Sequence, residues 1–165
     1  MSKSIDDLKA AFAGESQANR RYLAFAKKAE DEGYAQAARL FRAAAAAETV
    51  HALNHFRAMG EVKSTTENLQ AAIQGENYEV TVMYPDFLAD AEKEQDRKAI
   101  TSFRYALAVE KVHEALYTKA LAALSKDTPV VDFYVCPICG NTFEGSAPDK
   151  CPVCNTPAAR FEKIN

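Results

Sequence analysis

The chain of 165 residues contains no tryptophan, and its first 128 residues contain no cysteine and a single proline, Pro85. No disulfide can staple that front part, and little in it would interrupt a helix. Nowhere do about eighteen apolar residues follow one another, the length that a membrane-crossing helix needs, so no membrane contact is expected. Met1 to Leu8 lacks the basic and then apolar order of an export signal, which points to a cytoplasmic location. Blocks of like charge are missing too: 20 Lys and Arg against 23 Asp and Glu leave a net charge of −3. A nucleic-acid partner needs a basic footprint, so no such partner is expected.

What the front lacks, the tail has in excess. Residues 129–165 hold five of the six prolines and all four cysteines. The expected domains are therefore residues 1–128 and residues 129–165, with Lys126 to Asp132 (KDTPVVD) as the junction. A piece shorter than about 40 residues needs a metal or disulfides to fold, and in a reducing compartment CxxC pairs are read as metal ligands first.

Residues 1–126 are rich in Ala, Leu, Glu, Lys and Arg and read as helix throughout. Stop signals cut out four helices: A from Ser4 to Glu30, ending near Gly33; B from Tyr34 to Met59, ending at Gly60; C starting behind a Thr65 or Thr66 cap; and D from Arg97 to Leu124. Pro85 should bend helix C without breaking it, because the apolar period continues through Phe87. At an offset of 62 residues, Tyr22, Phe25, Glu30, Phe41, Arg42, Glu48 and His51 recur as Tyr84, Phe87, Glu92, Phe103, Arg104, Glu110 and His113. Two similar helical hairpins predict an all-α four-helix bundle of approximate two-fold symmetry, followed by a small metal-stabilised lobe.

Each helix carries a carboxylate in its apolar stripe. On helix D the stripe runs Phe103, Leu107, Glu110, His113 and Tyr117; on helix B it includes Phe41, Glu48 and His51; helix A places Glu15 after Phe12; helix C offers Glu76 and Glu79. Five carboxylates in a core would each cost several kcal/mol and repel one another, so two multivalent cations are needed to neutralise them. Lone glutamates on two helices plus Glu-x-x-His on the other two form the donor set of dimetal-carboxylate bundles. One Glu-x-x-His arises by chance; two at matching places of an internal repeat do not. The repeat fails only in helix C, where Glu15 plus 62 falls on Asn77 between Glu76 and Glu79, so the two metals should be inequivalent. Oxygen donors with two imidazoles suit iron or manganese. Tyr22 and Tyr84 project toward the same core as candidate hydrogen-bond donors, whereas His55, one turn past His51, is read as structural or exposed.

Cys136-Pro-Ile-Cys139-Gly and Cys151-Pro-Val-Cys154-Asn are two knuckles able to grip one tetrahedral ion, with Gly140 and Asn155 supplying backbone freedom. Zinc and iron both accept four thiolates; a neighbouring redox-active dimetal site would call for iron, which can pass single electrons.

These motifs together resemble the rubrerythrin family over essentially the whole chain: a ferritin-like bundle with Glu15, Glu48-x-x-His51, Glu76-x-x-Glu79 and Glu110-x-x-His113, then a rubredoxin-like tail with Cys136, Cys139, Cys151 and Cys154. The resemblance implies a non-haem di-iron peroxidase that reduces hydrogen peroxide to water, with electrons from a rubredoxin or an NAD(P)H-linked reductase passing through a tetrathiolate iron. It further implies that Glu48 and Glu110 bridge two irons, that Glu15 and Glu79 bind one and Glu76 with His113 the other, and that His51 replaces Glu79 on reduction. Expressed protein could carry zinc or manganese instead. Glu79, His51, Tyr22 and Tyr84 are then the catalytic candidates.

Helices B and C run parallel in ferritin-like bundles, so the connection between them must span the bundle. With Glu48 and Glu76 at one level, the gap is about 31 Å at 1.5 Å per residue, while seven peptide steps from Met59 to Thr66 reach roughly 24 Å. Either B and C are antiparallel, or C and D dock onto A and B of a second subunit; the swapped homodimer is the expected solution, because the resemblance favours parallel B and C. Two other functions share parts of this pattern: a ferroxidase or iron-handling protein, for which an electron-delivering tail has no use, and a helical bundle whose zinc ribbon binds proteins, which would make the core glutamates accidental.

Overall fold

The computed structural model describes residues 2–164, and these form two compact units that divide between Lys63 and Ser64. The first unit is a hairpin of α1 (Lys3–Asp31) and α2 (Ala35–Ala58). Gly33 makes the turn at φ +84°, a conformation open to glycine, and the Tyr34 N–H donates to the Ala29 carbonyl at 2.8 Å. The helices meet along a seam of small residues, with Ala18, Ala26, Ala29, Ala38, Ala45 and Ala52 all buried. Asn19 is buried in that seam and donates to the Ala45 carbonyl at 2.7 Å and the Thr49 hydroxyl at 2.8 Å. A two-helix hairpin covers only one stripe per helix, and several larger apolar residues lie outside this one: Phe25, Val50 and Leu53 are all exposed.

The second unit begins with α3 (Thr65–Tyr78), α4 (Tyr84–Glu94) and α5 (Arg97–Ala122), both α3 and α4 packing on α5. The cap of α3 is Ser64 and not Thr65 or Thr66: its hydroxyl accepts from the Glu67 N–H while Glu67 reaches back to the Ser64 N–H, a reciprocal box that needs Glu three residues on. Asp96 caps α5 by accepting from Lys98 N and Ala99 N at 2.9 and 3.1 Å. The expected helix C is continuous from α3 to α4, but it is interrupted before Pro85 by one wide π turn over Glu79–Met83, closed by the Tyr84 N–H on the Glu79 carbonyl. Proline has no N–H to give and its ring crowds the carbonyl one turn earlier; widening that turn relieves both.

A π turn holds one more residue than an α turn, which explains the failed repeat. Before it the two hairpins match at an offset of 61: Leu8 with Leu69, Phe12 with Ile73, Gly14 with Gly75 and Glu15 with Glu76. Beyond it the offset is 62, as for Tyr22 with Tyr84. The counterpart of Glu15 is therefore Glu76, not Asn77, and Glu79 rides on the inserted turn. The packing repeats as well. Tyr22, Phe25 and Phe41 form an aromatic trio matched by Tyr84, Phe87 and Phe103, and Arg42 pairs with Glu30 at 3.2 Å as Arg104 pairs with Glu92 at 2.8 Å.

The same unit ends in a small lobe. Strands β1 (Phe133–Val135), β2 (Thr142–Glu144) and β3 (Glu162–Ile164) form an antiparallel sheet in the order β2-β1-β3, with Tyr134 opposite both Phe143 and Lys163. Phe143 stacks on Phe161 at 5.1 Å, and among the described residues the largest fully buried side chains are Cys136 and Cys151. The lobe rests on α5, where a Lys119 to Glu144 ion pair ties helix to sheet and Gly140 lies against Val109. Among the described residues no helix is long and apolar enough to cross a membrane. The four expected helices and the four-cysteine lobe are thus all present.

Candidate metal centres

The first hairpin brings Glu15, Glu48 and His51 together, with one ligand atom of each within 4.8 Å of the others. The second does the same with Glu76, Glu110 and His113. In each, the i, i+3 spacing lays imidazole Nδ1 on the carboxylate of its own helix, at 2.9 Å for His51 on Glu48 and 2.7 Å for His113 on Glu110. Glu76 approaches His113 Nδ1 at 3.8 Å. Neither cluster includes His55. Glu79 is half-buried one turn beyond Glu76, outside the three-donor set, as its position on the π turn requires.

The electrostatics of the second cluster show what such a set needs. Burial, followed by the Glu110 carboxylate and then Glu79, pushes the Glu76 carboxyl up to about 7. Burial and Glu110 likewise raise Glu79, with His113 opposing. The Tyr84 hydroxyl is raised by burial and then by Glu79, Glu110 and Glu76, which places it in the field of the same donors. A carboxyl that holds its proton up to about 7, as Glu76 does, is short of positive charge, and metal cations supply it.

A pH dependence follows. In metal-free protein the folded state holds a proton on Glu76 that the unfolded state releases above about 4.5. That stabilisation is complete below the unfolded value and is lost as pH rises through about 7. Urea midpoints of metal-free protein should therefore fall from pH 5 to pH 8, and Glu76→Gln should flatten the decline; a midpoint rising over that range would contradict the assignment.

In the lobe all four cysteine sulfurs lie within 4.8 Å of one another, with Cys136 to Cys154 and Cys139 to Cys151 at 3.5 Å. Disulfide sulfurs sit at about 2.05 Å. A tetrahedral ion with bonds of about 2.3 Å holds its sulfurs roughly 3.8 Å apart, so the spacing is that of a metal site. The knuckles are near copies: Gly140 N donates to Cys136 O and Asn155 N to Cys151 O, both at 2.9 Å, with Gly140 at φ +82° and Asn155 at φ +61°. Their second positions differ. Burial opposes ionisation of Cys154, but the Thr156 hydroxyl, 3.0 Å from its sulfur, and the Thr156 N–H outweigh it and draw the thiol down to about 6. Burial instead raises Cys139.

Two contacts here are not among the sequence expectations. Thr156 could have been noticed, since it occupies the second position past a CxxC pair. Thr142 could not: its hydroxyl lies 2.9 Å from His113 Nε2 across 29 residues of sequence, a proximity that only the seating of the lobe on α5 creates.

Helical hairpins with matched Glu, Glu and His donors, followed by a four-thiolate lobe, define the class of dimetal-carboxylate proteins that carry a rubredoxin-like site. The family model described as "Rubrerythrin" matches residues 6–121, and that described as "Rubrerythrin, rubredoxin-like domain" matches residues 134–162. The chain belongs to the rubrerythrin family. It is 36% identical to rubrerythrin-2 of Clostridium acetobutylicum, covering 96% of this chain and 95% of that one. It is 38% identical to nigerythrin of Nitratidesulfovibrio vulgaris, covering 96% and 85%. A solved structure of fully reduced, all-ferrous nigerythrin superposes with a TM-score of 0.60 at 36% identity, covering 99% of this chain and 88% of that one. The donor clusters and the four cysteines match the di-iron and rubredoxin-like iron sites of the family, whose members are oxidoreductases of oxidative-stress defence.

Proposed function

We propose that the protein is a cytoplasmic hydrogen peroxide reductase, in which a dimetal centre held by Glu15, Glu48, Glu76, Glu79, Glu110 and His113 is re-reduced through the Cys136, Cys139, Cys151 and Cys154 site. The observation that carries the reading is the seating of the four-cysteine lobe on α5 beside His113, because an electron-delivering site has a use next to a reductase centre and none next to an iron store. Two irons bound by these carboxylates would supply the two electrons that, with two protons, convert one peroxide into two waters. Electrons come from an external donor, a rubredoxin or an NAD(P)H-linked reductase.

The chain's own part is charge matching. Glu79, on its inserted turn, would add negative charge to the donor set around more positive metals, and the His51 imidazole would take its place around less positive ones. The exposed His51 ring has room for this exchange. Tyr84, in the field of Glu79, Glu110 and Glu76, would give a proton to the reacting oxygens, and Tyr22 holds the matching position beside Phe25 and Phe41.

The hairpins are proposed to pair between protomers as a swapped homodimer, α1 and α2 of one with α3 to α5 of the other. The exposed Phe25, Val50 and Leu53 and the incompleteness of each three-donor set support this pairing.

Stopped-flow oxidation of reduced, iron-reconstituted protein is expected to be much faster with peroxide than with dioxygen; the reverse order would favour a ferroxidase, and protein that takes up only zinc an interaction module. His51→Ala should keep both irons in the diferric state and yet lose peroxide turnover roughly tenfold or more, a barrier change of at least about 1.4 kcal/mol. Undiminished turnover would exclude the ligand exchange.

A further inference from the structure

We propose that Thr142, on β2 of the four-cysteine lobe, is a positioning residue of the dimetal centre: its hydroxyl holds the His113 proton on Nε2 and so leaves the Nδ1 lone pair facing Glu76 and Glu110. The inference rests on the metal-site part of the reading above and not on peroxide chemistry.

The argument is one of donors and acceptors. The Thr142 hydroxyl has two polar neighbours, the Gly140 carbonyl at 3.2 Å and His113 Nε2 at 2.9 Å. A carbonyl can only accept, so the single hydroxyl proton goes to Gly140 and the oxygen is left to accept from His113. Nε2 then carries the ring proton, and Nδ1 presents a lone pair to the Glu110 carboxylate at 2.7 Å and Glu76 at 3.8 Å. A lone pair and a carboxylate at that distance are two acceptors facing each other, an arrangement that a shared cation resolves. The hydroxyl thus keeps Nε2 occupied and leaves Nδ1 as the nitrogen that a metal shared with Glu110 would take.

Two consequences distinguish this role from ordinary packing. The hydrogen-bond chain ends on Gly140, the residue after Cys139, so an ordered thiolate site is what holds the His113 ring in place. The two imidazoles of the repeat also become unequal. The His113 side chain is 28% exposed and anchored by the lobe, whereas that of His51 is 55% exposed. The ring anchored by the lobe would stay in the donor set, and the more exposed one would be able to exchange.

The test uses the full chain loaded with zinc, which is diamagnetic, and with ferrous iron. With 15N-labelled histidine, zinc-loaded wild-type protein should show His113 metallated at Nδ1 with a slowly exchanging Nε2 proton. Thr142→Val should speed that exchange and weaken ferrous iron at the dimetal centre about ten- to hundredfold, while the visible absorption of the tetrathiolate iron persists; Thr142→Ser should restore both. Should Val disturb that absorption, Thr142→Ala takes its place on the same readouts. Unchanged exchange and affinity in the hydroxyl-free variant, or a Ser variant no better than it, would overturn the assignment. None of these readouts involves peroxide, so their failure and that of the peroxidase reading are separable.

Discussion

Stripping the metal from the four-cysteine site is expected to unfold residues 133–164 while leaving α1 to α5 helical. The lobe has three strands of three residues each and one aromatic stack, Phe143 on Phe161. A segment that small buries too little apolar surface to offset its chain entropy. Its two fully buried larger side chains are themselves metal ligands, Cys136 and Cys151. Structural tetrathiolate sites contribute on the order of 10–16 kcal/mol, which exceeds anything else the lobe can offer. Without metal, Thr156 draws Cys154 down to about 6 against its burial while burial raises Cys139, so an ionised Cys154 sulfur lies 3.5 Å from that of Cys136 with no cation between them. Metal-free protein, and Cys151→Ser, should lose the dispersed amide signals of 133–164 and become open to proteolysis there, with far-ultraviolet ellipticity largely retained. A lobe that stays protected without metal would refute this account.

The parts of the molecule that could be read beforehand are those whose chemistry repeats at short range. CxxC and Glu-x-x-His are local, and the structure closes each within a single turn or knuckle. The expected junction at 126–132 rests on a change of composition. The division at 63/64 leaves no such trace, since helical hairpins of one composition stand on both sides of it, and the internal repeat was its only signal. Reading that repeat at a single offset hid its most informative detail. Glu15 failed to find a partner because Pro85 is accommodated by a π turn, and a one-residue insertion inside a helix changes neither propensity nor period enough to be seen. The contact of Thr142 with His113 belongs to another kind of information: it depends on how a sheet sits on a helix, which no residue in either segment encodes alone.

Co-expressed Glu48→Ala and Glu110→Ala chains are expected to recover dimetal centres that neither variant forms alone. Each substitution removes the central carboxylate of one three-donor set, Glu48 from the first hairpin and Glu110 from the second. If every centre draws α1 and α2 from one protomer and α3 to α5 from the other, a mixed dimer builds one centre from two damaged hairpins and one from two intact ones. Random pairing makes half the dimers mixed, so about a quarter of the wild-type dimetal centres should return. If each chain instead completes its own centre, every centre keeps one damaged hairpin and nothing returns. Iron per chain, after subtracting the tetrathiolate iron by its visible absorption, separates these outcomes, and peroxide turnover should recover in the same proportion. The result also bears on the short connection between α2 and α3. Residues 59–64 are too few to span a bundle of parallel middle helices, and exchange between protomers removes the need to span it. Lengthening that segment by about eight flexible residues should allow a chain to close on itself, converting dimer to monomer without loss of iron. Zero recovery in the mixed dimers would leave the length of this connection as evidence for antiparallel middle helices instead.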